Sequence, residues 1–308
     1  MKRTISPIVC RVSTAMFIPC LFCFMLPFLS GCNAKDENED GDTPLHTAVK
    51  WEENAKVAKL LAKGADVNAK NDNSETPLHH AASFNKSVEV VKSLIDRGAD
   101  VNAKNKYDNT PLHYAVRFNI IDPEIVKSLV DLGADVNAKN KYDNTPLHWA
   151  ARSGSIEVIQ FLVDRGADVN AKCSKGDTAL HHAAGFNERV EVAQFLVVQG
   201  VDVNEKCHNG WTPLHWAALY SKSVGVAQFL VDRGANVNAK DERGKTPLHR
   251  TVGLTDGNVE IAQFLVAQGA DVNAKDERGK TPLDDALSEK RTALADFLRS
   301  NGGKSGNE

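Results

Sequence analysis

The chain has 308 residues, 42% hydrophobic and 25% charged, an ordinary globular composition with enough apolar material for a continuous core. Lys and Arg number 37 against 40 Asp and Glu, so the net charge is −3 and there is no overall basic footprint for nucleic acid. Cleavage after residue 31 would remove three basic residues and no acid, which moves the net charge to −6 and favours solubility.

The first element is a targeting segment over 1–31. Lys2, Arg3 and Arg11 precede an uncharged run from Val12 to Ala34 with its apolar centre at Phe17 to Leu29, and Asp36, Glu37, Glu39, Asp40 and Asp42 follow. Basic before and acidic after an apolar run is the charge order of a segment that exports what comes behind it. Leu29-Ser30-Gly31-Cys32 closes the run. This tetrapeptide resembles the lipobox of bacterial lipoproteins, which implies cleavage before Cys32, diacylglycerol on its sulfur and a place in the cell envelope facing periplasm or exterior. The alternatives are plain secretion and a retained signal-anchor helix. The run is long enough to span a bilayer, but Pro19 and Pro27 disfavour a regular spanning helix. Residues 32–37 then form a short lipid-proximal segment.

From 38 to 302 the chain repeats. Thr-Pro-Leu-His or a close variant begins at Thr43, Thr76, Thr110, Thr145, Thr178, Thr212, Thr246 and Thr281, at spacings of 33 to 35 residues. Gly-Ala-Asp-Val-Asn-Ala recurs at Gly64, Gly98, Gly133, Gly166 and Gly269. The period and the motif identify the chain as a member of the ankyrin-repeat family. The resemblance implies a mostly all-α solenoid of about eight helix-turn-helix units, each with a hairpin-like finger. In each unit the Thr hydroxyl caps the first helix, Pro takes its first turn, and the motif Leu and Ala face inward. A second apolar helix ends at Gly, where a left-handed cap is favoured. Such a unit cannot bury its apolar face alone, and stacking does so. Length variation falls between the two helices, where Phe84, Phe118, Phe186, Tyr220 and Leu254 are expected to cover the longer turns. Asp284 replaces the motif His in the last unit, whose more polar second helix, Thr292 to Ser300, suits a terminal cap. Residues 303–308 are expected to fray.

The chemical candidates are weak. Seven of the ten histidines are the motif His, at 46, 79, 113, 148, 181, 215 and 249. In the ankyrin family this side chain bonds backbone within and between repeats, and a line of equivalent residues does not converge as a metal site must. Cys173 and Cys207 occupy equivalent positions in adjacent repeats. Stacked units lie about 8–10 Å apart, beyond disulfide reach, so two unbridged thiols and no metal are expected. No metalloprotease, Walker or nucleophile-elbow motif occurs. Non-catalytic function without a cofactor is the resulting expectation.

Binding residues are sought where repeats differ. The residue after the motif His changes from unit to unit, and Tyr114, Trp149, His182 and Trp216 form an aromatic stripe. The family resemblance places this stripe on the concave groove, while packing between repeats is the competing reading. Tyr107, Tyr142 and Trp211 stand on the fingers. Aromatic residues are favoured binding anchors. The expected function is a monomeric protein-binding scaffold whose partner is another protein, tethered to a membrane through the N-terminal lipid. A structural or protective envelope protein without one tight partner is the first alternative, because Asn105–His113 and Asn140–His148 are identical in sequence. A host-directed ankyrin effector is the second.

Overall fold

A computed structural model of the chain describes residues 41–84, 87–117, 122–153, 155–253 and 258–307. The targeting segment and Cys32 lie outside the described residues, as do Phe118 and Leu254. The described residues contain sixteen α-helices and no strand. The first helices of the units are α1 (Pro44–Lys50), α3 (Pro77–Ser83), α5 (Pro111–Ala115), α7 (Pro146–Ser153), α9 (Ala179–Phe186), α11 (Pro213–Tyr220), α13 (Pro247–Arg250) and α15 (Pro282–Ser288). The second helices are α2 (Asn54–Ala62), α4 (Val88–Asp96), α6 (Pro123–Asp131), α8 (Ile156–Asp164), α10 (Val190–Val198), α12 (Val224–Asp232), α14 (Val259–Ala267) and α16 (Thr292–Ser300). First helices stack on first helices and second on second, which makes an all-α repeat solenoid of two rows.

The core lies between the rows. Leu78, Leu112, Leu180 and Leu214 of the first helices are fully buried, as are Leu94, Leu129, Leu162 and Leu196 of the second. Each such leucine contributes about 1.5–3 kcal/mol of apolar burial. The motif Ala, for example Ala48 and Ala217 at 0% exposure, lets neighbouring helices approach closely.

Second helices end as the repeated glycine requires. Gly98 has φ +89, and Ala99 N–H donates to Leu94 O at 3.0 Å, closing a left-handed cap. The Asn of the following Asp-Val-Asn then clamps the next unit. Asn68 Nδ2 donates to Gly98 O at 2.8 Å while its Oδ1 accepts from Asp100 N–H at 2.8 Å. Asn102, Asn137 and Asn238 make the same pair of bonds one unit further on. The fingers close through two backbone bonds, such as Asn71 N–H to Glu75 O at 3.0 Å and Ser74 N–H to Asn71 O at 2.8 Å, and join through one backbone bond between neighbours, such as Lys106 N–H to Asn73 O at 2.9 Å.

The C-terminal segment differs from the frayed tail expected of it. Asn273 clamps Gly302 O and Lys304 N–H as though a ninth finger began there. Ser305 Oγ and Gly306 N–H both donate to the Asp284 carboxylate at 2.8 Å. A histidine at 284 would face donors, Ser305 Oγ and Gly306 N–H, where the other motif histidines face a carbonyl. A carboxylate instead accepts from Thr281 N–H on one side and from the folded-back tail on the other.

Candidate binding surface

The motif histidines are tied at both ring nitrogens. In the third unit Thr110 N–H donates to His113 Nδ1 at 3.2 Å, so Nδ1 must be unprotonated, and Nε2–H donates across the junction to Asn144 O at 3.0 Å. The same pair of bonds recurs at the other six histidines, the crossing bond running from 3.0 to 3.2 Å. Burial pushes His79, His113 and His215 down to about 4, which keeps the neutral tautomer that both bonds demand. These rings have no lone pair or proton left for catalysis at neutral pH.

The next residue in each unit lies on the motif His of the preceding unit. Tyr114 meets His79 edge to face at 5.6 Å, Trp149 meets His113 at 5.8 Å, His182 meets His148 at 5.5 Å, and Trp216 meets His181 at 6.3 Å. His182 and Trp216 also stack on each other at 5.6 Å and 19°. Where the position is charged it still points back: the Arg250 guanidinium lies 4.2 Å above the Trp211 ring, and Lys245 donates to Asp285 at 2.6 Å. Trp149, His182 and Trp216 are 7%, 8% and 5% exposed. Tyr114 is half-buried, its hydroxyl donating to Glu75 and accepting from Asn105 Nδ2 at 3.0 Å. Burial works against ionisation of Glu75, but bonds from His80 and Tyr114 hold its carboxyl down at about 2.

The fingers present a different face. Tyr107 and Tyr142 are 43% and 40% exposed, and they occupy the same position in adjacent fingers. Each Tyr carbonyl accepts from the following finger, Tyr107 O from Lys141 N–H and Tyr142 O from Ser174 N–H, so the two rings are held in register. Lys106 Nζ lies 5.3 Å from the Tyr107 ring centre. Trp211 is half-buried between the His215 ring at 6.4 Å and Arg250. Trp51, at the end of α1, is 64% exposed and went unremarked in the sequence, where nothing but its neighbouring Glu52 and Glu53 sets it at a turn.

A family model described as ankyrin repeats in three copies matches residues 17–105, 85–173, 170–241 and 234–307. The chain belongs to the ankyrin-repeat family. A comparison with curated proteins finds no match. Ankyrin repeats are generally non-enzymatic scaffolds for protein interaction, so a protein partner is the general expectation for this ankyrin-repeat chain.

Within that family assignment the aromatic stripe needs correction. Trp149, His182 and Trp216 are packing residues between ankyrin units, and Tyr114 is committed to a buried network. The physical reason is the side-chain direction: position five of the motif leans toward the preceding unit, where the edge of a buried imidazole offers a ring a favourable contact. The accessible part of the expected site reduces to Tyr107, Tyr142 and the outer edge of Trp211. Arg117 and Arg152, unforeseen in the sequence, lie over Trp149 at 5.3 Å and Phe186 at 3.9 Å. Phe186 in turn stacks on Tyr220 at 5.1 Å, while Phe84 is 39% exposed.

Cys173 and Cys207 are both unbridged and buried. They are not isolated from each other. Asp177 lies between them, its Oδ2 accepting from Cys173 Sγ at 3.7 Å and its carboxylate also contacting the Cys207 thiol.

Proposed function

We propose that this ankyrin-repeat chain is a non-catalytic scaffold that binds a protein partner through its finger row, held outside the cytoplasm by a lipid on Cys32. The observation that supports the binding surface is the exposed, register-locked pair Tyr107 and Tyr142, with the Trp211–Arg250 stack two fingers further along the same row. Rigid aromatics on short fingers offer large contact area at small entropic cost, which is the usual chemistry of a binding anchor. The support for the tether is the basic-apolar-acidic order ending in Leu-Ser-Gly-Cys at 29–32.

Photo-crosslinking residues placed at 107 and 142 should capture one protein in intact cells. The same residue at 198, on the exposed end of α10, should not. Equal capture from all three positions would refute the finger surface. Cys32→Ser should abolish lipid labelling and release the chain from membranes; membrane retention with no lipid on the unmutated chain would refute the anchor.

A further inference from the structure

The fingers of this chain carry a side-chain ladder that changes chemistry at one junction. The ladder position is Asn71, Asn105, Asn140, Cys173, Cys207, Asp241 and Asp276 in successive units. Where it is Asn, the amide serves two purposes. Its Oδ1 accepts from the finger backbone, as Asn140 does from Tyr142 and Asn144 N–H. Its Nδ2 donates back to the preceding unit at Asn140, to Asn109 Oδ1 at 2.8 Å, and at Asn71, to Asp42 Oδ1 at 2.8 Å, and to the Tyr114 hydroxyl of its own unit at Asn105. At Cys173 and Cys207 a thiol stands in both places, and the group between them is the carboxylate of Asp177.

Asp177 is 3% exposed, and its Oδ1 is buried with no hydrogen-bond partner. A buried carboxylate oxygen without a donor is unfavourable unless a proton or a cation completes it, and burial already pushes the Asp177 carboxyl up to about 6. The ligand atoms of Asp177, His181 and Cys207 lie within 4.8 Å of one another, and Cys173 Sγ is 3.7 Å from Asp177 Oδ2.

We propose that Cys173, Asp177 and Cys207 form a site for a thiophilic divalent cation of the Zn²⁺ class, bridging two adjacent repeats. In a tetrahedral zinc site, bonds of about 2.3 Å to sulfur and about 2.0–2.2 Å to oxygen put the two ligand atoms roughly 3.5–3.7 Å apart. Cys173 and Asp177 already stand at that separation, and the Cys207 sulfur lies within 4.8 Å of the Asp177 carboxylate. Sulfur with carboxylate selects Zn²⁺ or Cd²⁺ over Mg²⁺ or Ca²⁺. His181 keeps its place in the fold: its Nδ1 accepts from Thr178 N–H at 3.1 Å, and freeing Nε2 would require a proton on Nδ1 facing that donor. Water supplies the fourth ligand. Both thiols are protonated in the metal-free chain, so binding exchanges two S–H bonds for two S–metal bonds and releases two protons. Two thiolates and one carboxylate around a divalent ion leave the site at −1, and the Lys175 ammonium, whose charge acts on Asp177, lies near it. The ion would pin the fourth finger junction to the fifth with bonds stronger than the amide ladder it replaces.

The test uses the full chain in mild detergent, with Cys10→Ser, Cys20→Ser, Cys23→Ser and Cys32→Ser so that only Cys173 and Cys207 can supply sulfur. Titration with Co²⁺ should give a thiolate-to-cobalt charge-transfer band that saturates at one equivalent and disappears when Zn²⁺ is added. Cys207→Asn and Asp177→Asn install residues that other units carry at these positions, Asn140 at the first and Asn144 at the second, so both should fold with unchanged circular dichroism and both should lose the band. The absence of a band in the parent chain would overturn the proposal. So would a band of the same amplitude in either folded variant.

Discussion

Trp149 rests edge to face on His113 of the preceding unit, with ring centres 5.8 Å apart and planes at 79°. His113 is itself fixed by Thr110 behind it and by Asn144 O in front. The indole therefore packs against a ring that cannot turn away, and one junction is held by a polar bond and an aromatic contact that share a residue. The same pairing at Tyr114, His182 and Trp216 explains why this position is often aromatic although its identity varies.

Trp149→Ala should therefore act on stability. Removing a buried indole costs about 3–5 kcal/mol. Trp149→His should cost less, because His182 fills the same place one unit later and meets His148 at 5.5 Å. Urea unfolding followed by circular dichroism would measure both, and partner capture from the finger positions should survive in whichever variant stays folded. A Trp149→Ala chain as stable as the parent would contradict the packing role.

His113→Asp should be much worse than the natural aspartate at 284. A carboxylate at 113 can take the bond from Thr110 N–H, but it then faces Asn144 O with no hydrogen to give. Leaving a charge buried without a partner costs about 3–5 kcal/mol. At 284 the facing groups are donors, Ser305 Oγ and Gly306 N–H. Chemical denaturation should show a lost or broadened transition for His113→Asp, since breaking one junction uncouples the units on either side.

Asp284→Ala should free the C-terminal segment with little effect on the rest. Amides at 304 and 306 should exchange fast in the variant and slowly in the parent chain, as followed by hydrogen exchange. Equal protection in both would show that the Asn273 clamp alone holds the segment.

Stability should fall steeply with acid. Burial lowers His79, His113 and His215 from 6.5 to about 4, so the folded chain resists protons that the unfolded chain accepts. Their contribution is whole above pH 6.5 and is lost as pH falls toward 4. Each lost increment is on the order of 3 kcal/mol, at about 1.4 kcal/mol per pH unit of difference. Melting curves between pH 7 and pH 4 should show a falling Tm, and a flat profile would refute the neutral tautomer.

Finger turns offer an opposite pair of substitutions. Asp143 has φ 55, where Asp143→Gly should stabilise by roughly 0.5–1 kcal/mol by relieving left-handed strain. Gly210 has φ +73, and a Cβ there would come 2.8 Å from Glu242 N of the next finger. Gly210→Ala should destabilise, and thermal melts of the two variants should shift in opposite directions.

Much of this protein was legible in its residues taken in order. The period near 34 and the Thr-Pro-Leu-His motif determined the fold, because a unit of that size has an apolar face that only a copy of itself can cover. The same motif determined the histidines' role, since a residue repeated without regard to its neighbours serves the frame. Variation at position five was legible as well, but its meaning was not. Periodicity says that a side chain leaves the helix on a given face, and only the stacked neighbour decides whether that face meets solvent or a ring. So Trp149, His182 and Trp216 went inside while Tyr107 and Tyr142 stayed out. The tail was misjudged for the same reason: its bonds go to Asn273 and Asp284, partners more than twenty residues back. Cys173 and Cys207 are the sharpest case. Counted along the chain they stand one repeat apart with nothing to join them, and tertiary structure alone sets the carboxylate of Asp177 between them.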